Sequence, residues 1–363
     1  MNLSPSLTTR QPLVGPSVWT GAELDRDRRW RFPLTPAMAE EIDRAVAAVA
    51  ERGLPWEALR RQDFPLPLTT PLLAKVSEEL EHGRGLAKIS GLPVERYDDA
   101  GLRRLWYGLG LHLGQPVSQS HAGLRMKVIC DEGADTGQRH GQFVNPDGTV
   151  FLGSYSRAVS NALLRFHTDR TDVVGLLCAG QAAEGGLSKV ASSPAVHNEI
   201  LRRRPDLLAQ LYRPYPRSRL GEEIGGEAMH YLLPIFGLCE GRFTSHYSRT
   251  FIEAAEKMPG VPQLSAAQWE ALDLLHAVAE ELCYRMRLEP GDVQFLNNHV
   301  IYHAREAFAD DPAQGLVRRL YRLWLSVPNS RPLPADHAVL WRDVRAGAPR
   351  GGIAVAEEAR RPA

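Results

Sequence analysis

Two stretches decide how this chain is read: Phe166-His167-Thr168-Asp169, and Asn297-Asn298-His299-Val300-Ile301-Tyr302-His303-Ala304-Arg305. On a strand, residues i and i+2 project to the same face, so His167 and Asp169 can both reach one cation. His303, on a late strand, offers a second imidazole. Two histidines and one carboxylate form the facial set that holds a non-haem Fe(II) and leaves its other positions open. Fifteen residues beyond His303 comes Arg318-Arg319-Leu320-Tyr321-Arg322-Leu323-Trp324-Leu325. Strand parity places Arg318, Leu320, Arg322 and Trp324 on one face and Arg319, Tyr321 and Leu323 on the other. Inward arginines are costly unless they meet anions, and the planar guanidinium fork suits a carboxylate.

The ordered set His167-x-Asp169, Gly185-Gly186-Leu187-Ser188, Asn297 to Phe308, then Arg318 and Arg322 resembles the taurine dioxygenase and clavaminate synthase-like family of Fe(II)- and 2-oxoglutarate-dependent dioxygenases. The resemblance runs from about residue 85 to about residue 330. It implies an α+β fold: a double-stranded β-helix, or jelly roll, braced by helices. It also implies that His167, Asp169 and His303 are the catalytic metal ligands, and that Arg318 and Ser188 hold 2-oxoglutarate. Arg322 then meets the substrate's anionic group. The interval from His303 to Arg318 contains a generous Asp310-to-Gly315 turn, which leaves open which of Arg318 and Arg322 holds the co-substrate. The implied reaction uses O2 and converts 2-oxoglutarate to succinate and CO2. It hydroxylates, desaturates or cyclises a small anionic or amino-acid-like metabolite. The intact Asp169 disfavours halogenation, because related halogenases replace that carboxylate with a small residue.

Two other classes share parts of the pattern. A non-catalytic barrel for small ligands would keep the triad as a relic. A zinc hydrolase would use the same ligand types, but no general base is evident and the arginine pair stays unexplained. Other residues divide by position. Asn161, before the first motif, and His121, after a helix, are further candidates for substrate contact. Arg305 and Arg319 read as outer-face residues, and His299 as a hydrogen-bonded packing residue.

Around the motifs, the chain reads as a Pro- and Ser-rich extended segment over 1–34, one domain over 35–346 and a mobile Ala- and Arg-rich tail over 347–363. Thr35-Pro36 opens a helix by capping and a first-turn proline. Helices are also expected at 71–81, 97–113, 193–201 and 265–287, with short strands from 126 to 191 and again at 293–297 and 318–327. The 134 residues from Asp169 to His303 must fold back to close one site, so they belong to one unit.

Composition narrows the partners. The 363 residues carry 43 Lys+Arg and 43 Asp+Glu, a formal net charge of zero, which disfavours nucleic acid or an anionic membrane as the main partner. No run approaches a membrane span, and the first residues lack the apolar core of a signal peptide. Four cysteines with no CxxC pair suit reduced thiols in the cytoplasm. The partner expected is a small molecule; the number of subunits is unreadable.

Overall fold

The computed structural model describes residues 11–133, 157–219 and 227–355, with positions 136, 143–144, 150–151 and 223. The elements that position the site are helices α1 (Gly21–Arg26), α2 (Pro36–Glu51), α3 (Thr70–Glu81), α4 (Asp99–Gly110), α5 (Ser193–Arg203), α6 (Pro205–Leu211), α7 (Arg249–Glu256) and α8 (Ala266–Leu282). The strands are β1 (Arg31–Pro33), β2 (Leu86–Ser90), β3 (Gln115–Pro116), β4 (Met126–Ile129), β5 (Leu164–His167), β6 (Val173–Gly180), β7 (Ser188–Ser192), β8 (Tyr284–Met286), β9 (Val293–Asn297), β10 (Ile301–Arg305) and β11 (Arg319–Ser326).

A seven-stranded sheet runs β1-β2-β9-β6-β11-β3, with β4 also paired to β11; a four-stranded sheet runs β8-β7-β10-β5. Within them only the β1–β2 pair is parallel. The two sheets form an open jelly-roll core with helices outside, so the expected α+β architecture is present.

Alternation along the strands explains the layers. In the larger sheet, Ile89, Leu177, Phe295, Tyr321 and Leu323 pack outward with α2, α3 and α4 in one core cluster. Their neighbours Leu86, Val174, Cys178, Leu296, Leu320 and Trp324 join a second cluster with the smaller sheet. The expected split of β11 into two faces therefore holds. The smaller sheet turns Lys189 and Phe166 outward toward α8, where Lys189 Nζ pairs with Glu280 Oε1 at 2.5 Å and lies 5.2 Å from the Phe166 ring. His303 and Val190 stand opposite each other across β10 and β7 and share the inner face.

Local signals fix several ends. Thr35 accepts from Met38 N, as its position before Pro36 predicts. Ser265 and Gln268 make a reciprocal capping box at the start of α8. That helix stops at Leu282, short of the expected 287, because Tyr284–Met286 pair instead with Ser188–Val190. No helix among the described residues is long and apolar enough to cross a membrane.

Both chain ends depart from expectation. The segment read as extended over 1–34 contains α1, capped by Thr20 with Glu23 returning the bond, and then β1. Trp19, Leu24 and Trp30 are its buried anchors, and their burial folds the segment onto the core. The tail read as mobile from 347 is fixed through 355: Ala348, Arg350 and Ile353 are buried. Residues 1–10 and 356–363 lie outside the described residues.

Candidate metal centre and active site

His167 ends β5 and faces His303 of the antiparallel neighbour β10, with a register shift just beyond the pair. Irregularities of this kind re-aim side chains beside active sites. The two imidazole centroids are 4.1 Å apart. Asp169 follows two residues after His167, where its N–H donates to Asn298 Oδ1 at 3.0 Å. Asn298 Nδ2 in turn donates to Thr171 O at 3.0 Å, tying the turn before β10 to the Asp169 loop. One donor atom from each of His167, Asp169 and His303 lies within 4.8 Å of the others, and all three residues are buried.

The donor chemistry fits a divalent transition metal. His167 Nδ1 is 2.9 Å from Arg165 O, a carbonyl that can only accept, so the proton sits on Nδ1 and Nε2 keeps its lone pair. Both Nε2 atoms face the carboxylate, at 3.9 Å for His167 and 3.8 Å for His303. Burial pushes both imidazoles down, His303 to about 3 with His167 adding to the effect. For Asp169, burial opposes ionisation, but Arg322, His303 and His167 together outweigh it and hold the carboxyl below its usual range. Trp324 Nε1 also donates to Asp169 Oδ2 at 2.9 Å. At neutral pH the set is thus two neutral imidazoles and one carboxylate, the form in which all three coordinate.

Two adjoining cavities border this cluster. The first is lined by Ser188, Arg305 and Arg318 together with apolar Leu164, Leu176 and Leu320. The second is lined by Gln119, Thr168, Arg170, Phe251, Trp324 and Ile353. His167 and Arg322 border both. In the first cavity, Arg318 is buried, Nε and Nη1 have no hydrogen-bond partner among the described residues, and burial lowers its pKa to about 10. Such a guanidinium fits an incoming carboxylate. Ser188 Oγ donates to Gln294 Oε1 at 2.7 Å, and its oxygen remains able to accept. Arg322 stands beside the triad, with Nη1 3.5 Å from Asp169 Oδ1 and Nε donating to Gln119 Oε1 at 2.8 Å.

Comparison with known proteins agrees with this geometry. Residues 49–324 match the model of the taurine catabolism dioxygenase TauD, TfdA family. The chain belongs to that family. It is an enzyme of the Fe(II)/2-oxoglutarate-dependent dioxygenase class, as the motifs led us to expect. FR-33289 synthase of Streptomyces rubellomurinus (strain ATCC 31215) is 34% identical over 332 residues, 90% of this chain and 94% of that protein. The taurine hydroxylase-like protein SAT17 of Stachybotrys chartarum (strain CBS 109288 / IBT 7711) is 28% identical, covering 84% of this chain and 77% of that one. In fold, the chain resembles asparagine oxygenase in complex with Fe(II), (2S,3S)-3-hydroxyasparagine and succinate (TM-score 0.61, 18% identity, 88% of this chain and 100% of that one). It also resembles the non-heme iron oxygenase OrfP in complex with Fe and alpha-ketoglutaric acid (TM-score 0.57, 17% identity, 82% and 93%).

Within this TauD/TfdA-family chain the remaining candidates separate. His167, Asp169, His303, Ser188, Arg318 and Arg322 come together around the two cavities. Asn161 does not join them: it is exposed, and its carbonyl accepts from Phe308 N at 3.1 Å, a turn role. His121 borders neither cavity; its Nδ1 lies 3.1 Å from Ala354 O, so it braces the segment that carries Ile353. His299 is a packing residue as read, 2.9 Å from both Asp172 Oδ1 and Thr244 Oγ1.

Arg305 overturns its outer-face reading. It is buried, borders the first cavity, and its Nη2 donates to the carbonyls of Arg157, Ser160 and Ala162. It shares strand parity with His303, which was the available signal. Arg305 and Arg318 both lie over the Phe308 ring, at 4.7 and 5.3 Å. Burial and the neighbouring Arg318 lower the Arg305 pKa to about 9. Gln119, Arg170, Phe251 and Ile353 carried no motif; long-range packing alone brings them to the site.

Proposed function

We propose that this chain uses Fe(II), 2-oxoglutarate and O2 to hydroxylate a small anionic or amino-acid-like metabolite, or to desaturate or cyclise it by the same chemistry. For hydroxylation the balance is substrate C–H, O2 and 2-oxoglutarate in, and substrate C–OH, succinate and CO2 out. The carrying observation is the buried His167, Asp169 and His303 cluster with two arginine-lined cavities against it. The asparagine and arginine derivatives named in the solved relatives support the amino-acid-like part of the reading.

In this reading His167, Asp169 and His303 hold the iron, which supplies the oxidising chemistry when bound with its co-substrate. The protein's own part is positioning and charge. Arg165 O fixes the His167 ring, while Trp324 and the Asn298 side chain fix Asp169. Arg318 receives the distal carboxylate of 2-oxoglutarate, with Ser188 beside it. Its unpartnered N–H groups and the absence of Arg318 from the second cavity favour it over Arg322 for this task. Arg322, bordering the second cavity and held by Gln119, meets the substrate's anion. The apolar walls keep the reacting groups dry and strengthen these charge contacts.

The test is succinate formation by purified protein with Fe(II), ascorbate, O2 and 2-oxoglutarate across a panel of amino acids and small carboxylates. The expected result is panel-dependent succinate in the wild type, lost in Asp169→Ala together with bound iron. No 2-oxoglutarate consumption across the panel, with iron content unchanged in Asp169→Ala, contradicts the proposal. Ligand binding that needs no iron and yields no succinate supports the non-catalytic barrel instead.

A further inference from the structure

The second cavity is finished by a segment that lies beyond the last strand motif. After β11 the chain loops out and returns, and residues 347–355 form a strap that brings Ile353 to the cavity wall. Arg350 anchors it: Nε donates to Asp172 Oδ1 at 2.7 Å, Nη2 to Arg331 O at 2.7 Å, Nη1 to Arg345 O at 3.2 Å, and its own N–H to Ser326 Oγ at 3.0 Å. The Arg350 and Asp172 side chains are essentially inaccessible to solvent, at 0% and 1% exposure. Breaking a buried pair of this kind is strongly destabilising, which fixes the strap on the Asp169 loop.

Beyond the anchor the strap is stitched to two loops at once. Gly352 N donates to Arg170 O at 2.6 Å, and Ile353 N to Ser118 O at 2.8 Å. Gly351 and Gly352 have φ of +80° and +72°, and a Cβ on either would stand 2.9 Å from Arg170 O or 2.8 Å from Ser118 O. Only glycine permits so close a passage at these angles. His121 Nδ1, 3.1 Å from Ala354 O, holds the far side. Clamped on both sides, Ile353 is buried and borders the cavity that also holds Arg322, Arg170, Phe251 and Trp324.

We propose that Ile353, held by the strap, is a specificity-determining residue that sets the length of the apolar group the substrate-side cavity accepts. The cavity combines guanidinium groups with Phe251, Trp324 and Ile353, so the substrate class is an anion carrying a short apolar chain. This inference rests on the second cavity being the substrate side, as proposed above.

The test is calorimetric titration of the Co(II)- and 2-oxoglutarate-loaded protein with straight-chain monocarboxylates from propanoate to octanoate. Cobalt loading is followed separately by visible absorption. In the wild type, affinity rises by roughly fourfold per methylene until the chain meets Ile353. Ile353→Ala moves the optimum to a chain about two carbons longer, and Ile353→Phe to a shorter one. Opposite shifts from the two variants are not what a merely structural residue gives. The same optimum in all three proteins, or no carboxylate binding at all, overturns the proposal. Protein that takes up no cobalt yet shows the opposite shifts sinks the metal reading and leaves this one standing.

Discussion

The two cavities beside the His167, Asp169 and His303 cluster are built differently. The first draws its lining mainly from strands: Leu164, Leu176, Ser188, Ala304, Arg305 and Leu320 lie on β5, β6, β7, β10 and β11. The second takes Gln119, Thr168, Arg170 and Ile353 from connecting segments and Phe251 from α7. A strand position is fixed by sheet register on both sides. A loop position is free to change without disturbing the ladder. This contrast supports the proposal that the common co-substrate sits on the strand-built side and the variable substrate on the side that loops compose.

The largest expected effect removes what the two sides share. Asp169→Ala should lose bound iron and lower succinate formation by more than about 100-fold, because altering even the groups that orient metal ligands costs 10–100-fold. Metal analysis on the purified variant checks this, and full iron occupancy would remove Asp169 from the metal ligands.

A smaller effect sharpens the strand-built side. Arg305→Gln should raise the KM for 2-oxoglutarate by roughly tenfold while leaving kcat within a few-fold, since its charge stands beside Arg318 without holding the carboxylate. Initial rates against 2-oxoglutarate concentration decide it. A fall in kcat with KM unchanged would place Arg305 elsewhere in the chemistry.

The smallest expected effect concerns the framework behind the loop-built side. Burial pushes His299 down from 6.5 to about 4, against the pull of Asp172. Between those values the unfolded chain binds a proton that the folded chain refuses, so stability falls as pH drops from about 6.5 toward 4. The loss is on the order of 1–3 kcal/mol. Urea midpoints between pH 7 and 4.5 should decline in the wild type and decline less in His299→Gln. Equal slopes would remove His299 as the cause. Asp172, Arg350, Arg331 and Thr244 surround this histidine, so the same network carries the strap anchor.

What was legible in the sequence follows the same division. Strand parity put His167 with Asp169 and split β11 into two faces, while the resemblance to the family named His303, Ser188, Arg318 and Arg322 as their companions; the structure brings all six together. The same parity could have found Arg305, two residues after His303 on β10, but its charge argued for solvent. The loop-built side was largely closed to sequence reading. Asn161 turned out to be an exposed turn residue, His121 a brace, and Ile353 came from a tail expected to be mobile. Neither periodicity nor spacing encodes where a return segment docks; the Arg350–Asp172 pair, 178 residues apart, decides it. Likewise α8 ended early because β8 found a partner in β7, a contact no local signal announces.

In the proposed function the two cavities have separate tasks, with Arg318 serving 2-oxoglutarate and Arg322 the substrate. Anaerobic calorimetry of 2-oxoglutarate binding to the Fe(II)-loaded wild type, Arg318→Gln and Arg322→Gln tests it most directly. The expected result is an affinity loss of roughly 100-fold in Arg318→Gln, the cost of removing one partner of a buried charge pair, and a change of less than about fivefold in Arg322→Gln. Unchanged affinity in Arg318→Gln with a large loss in Arg322→Gln would contradict it.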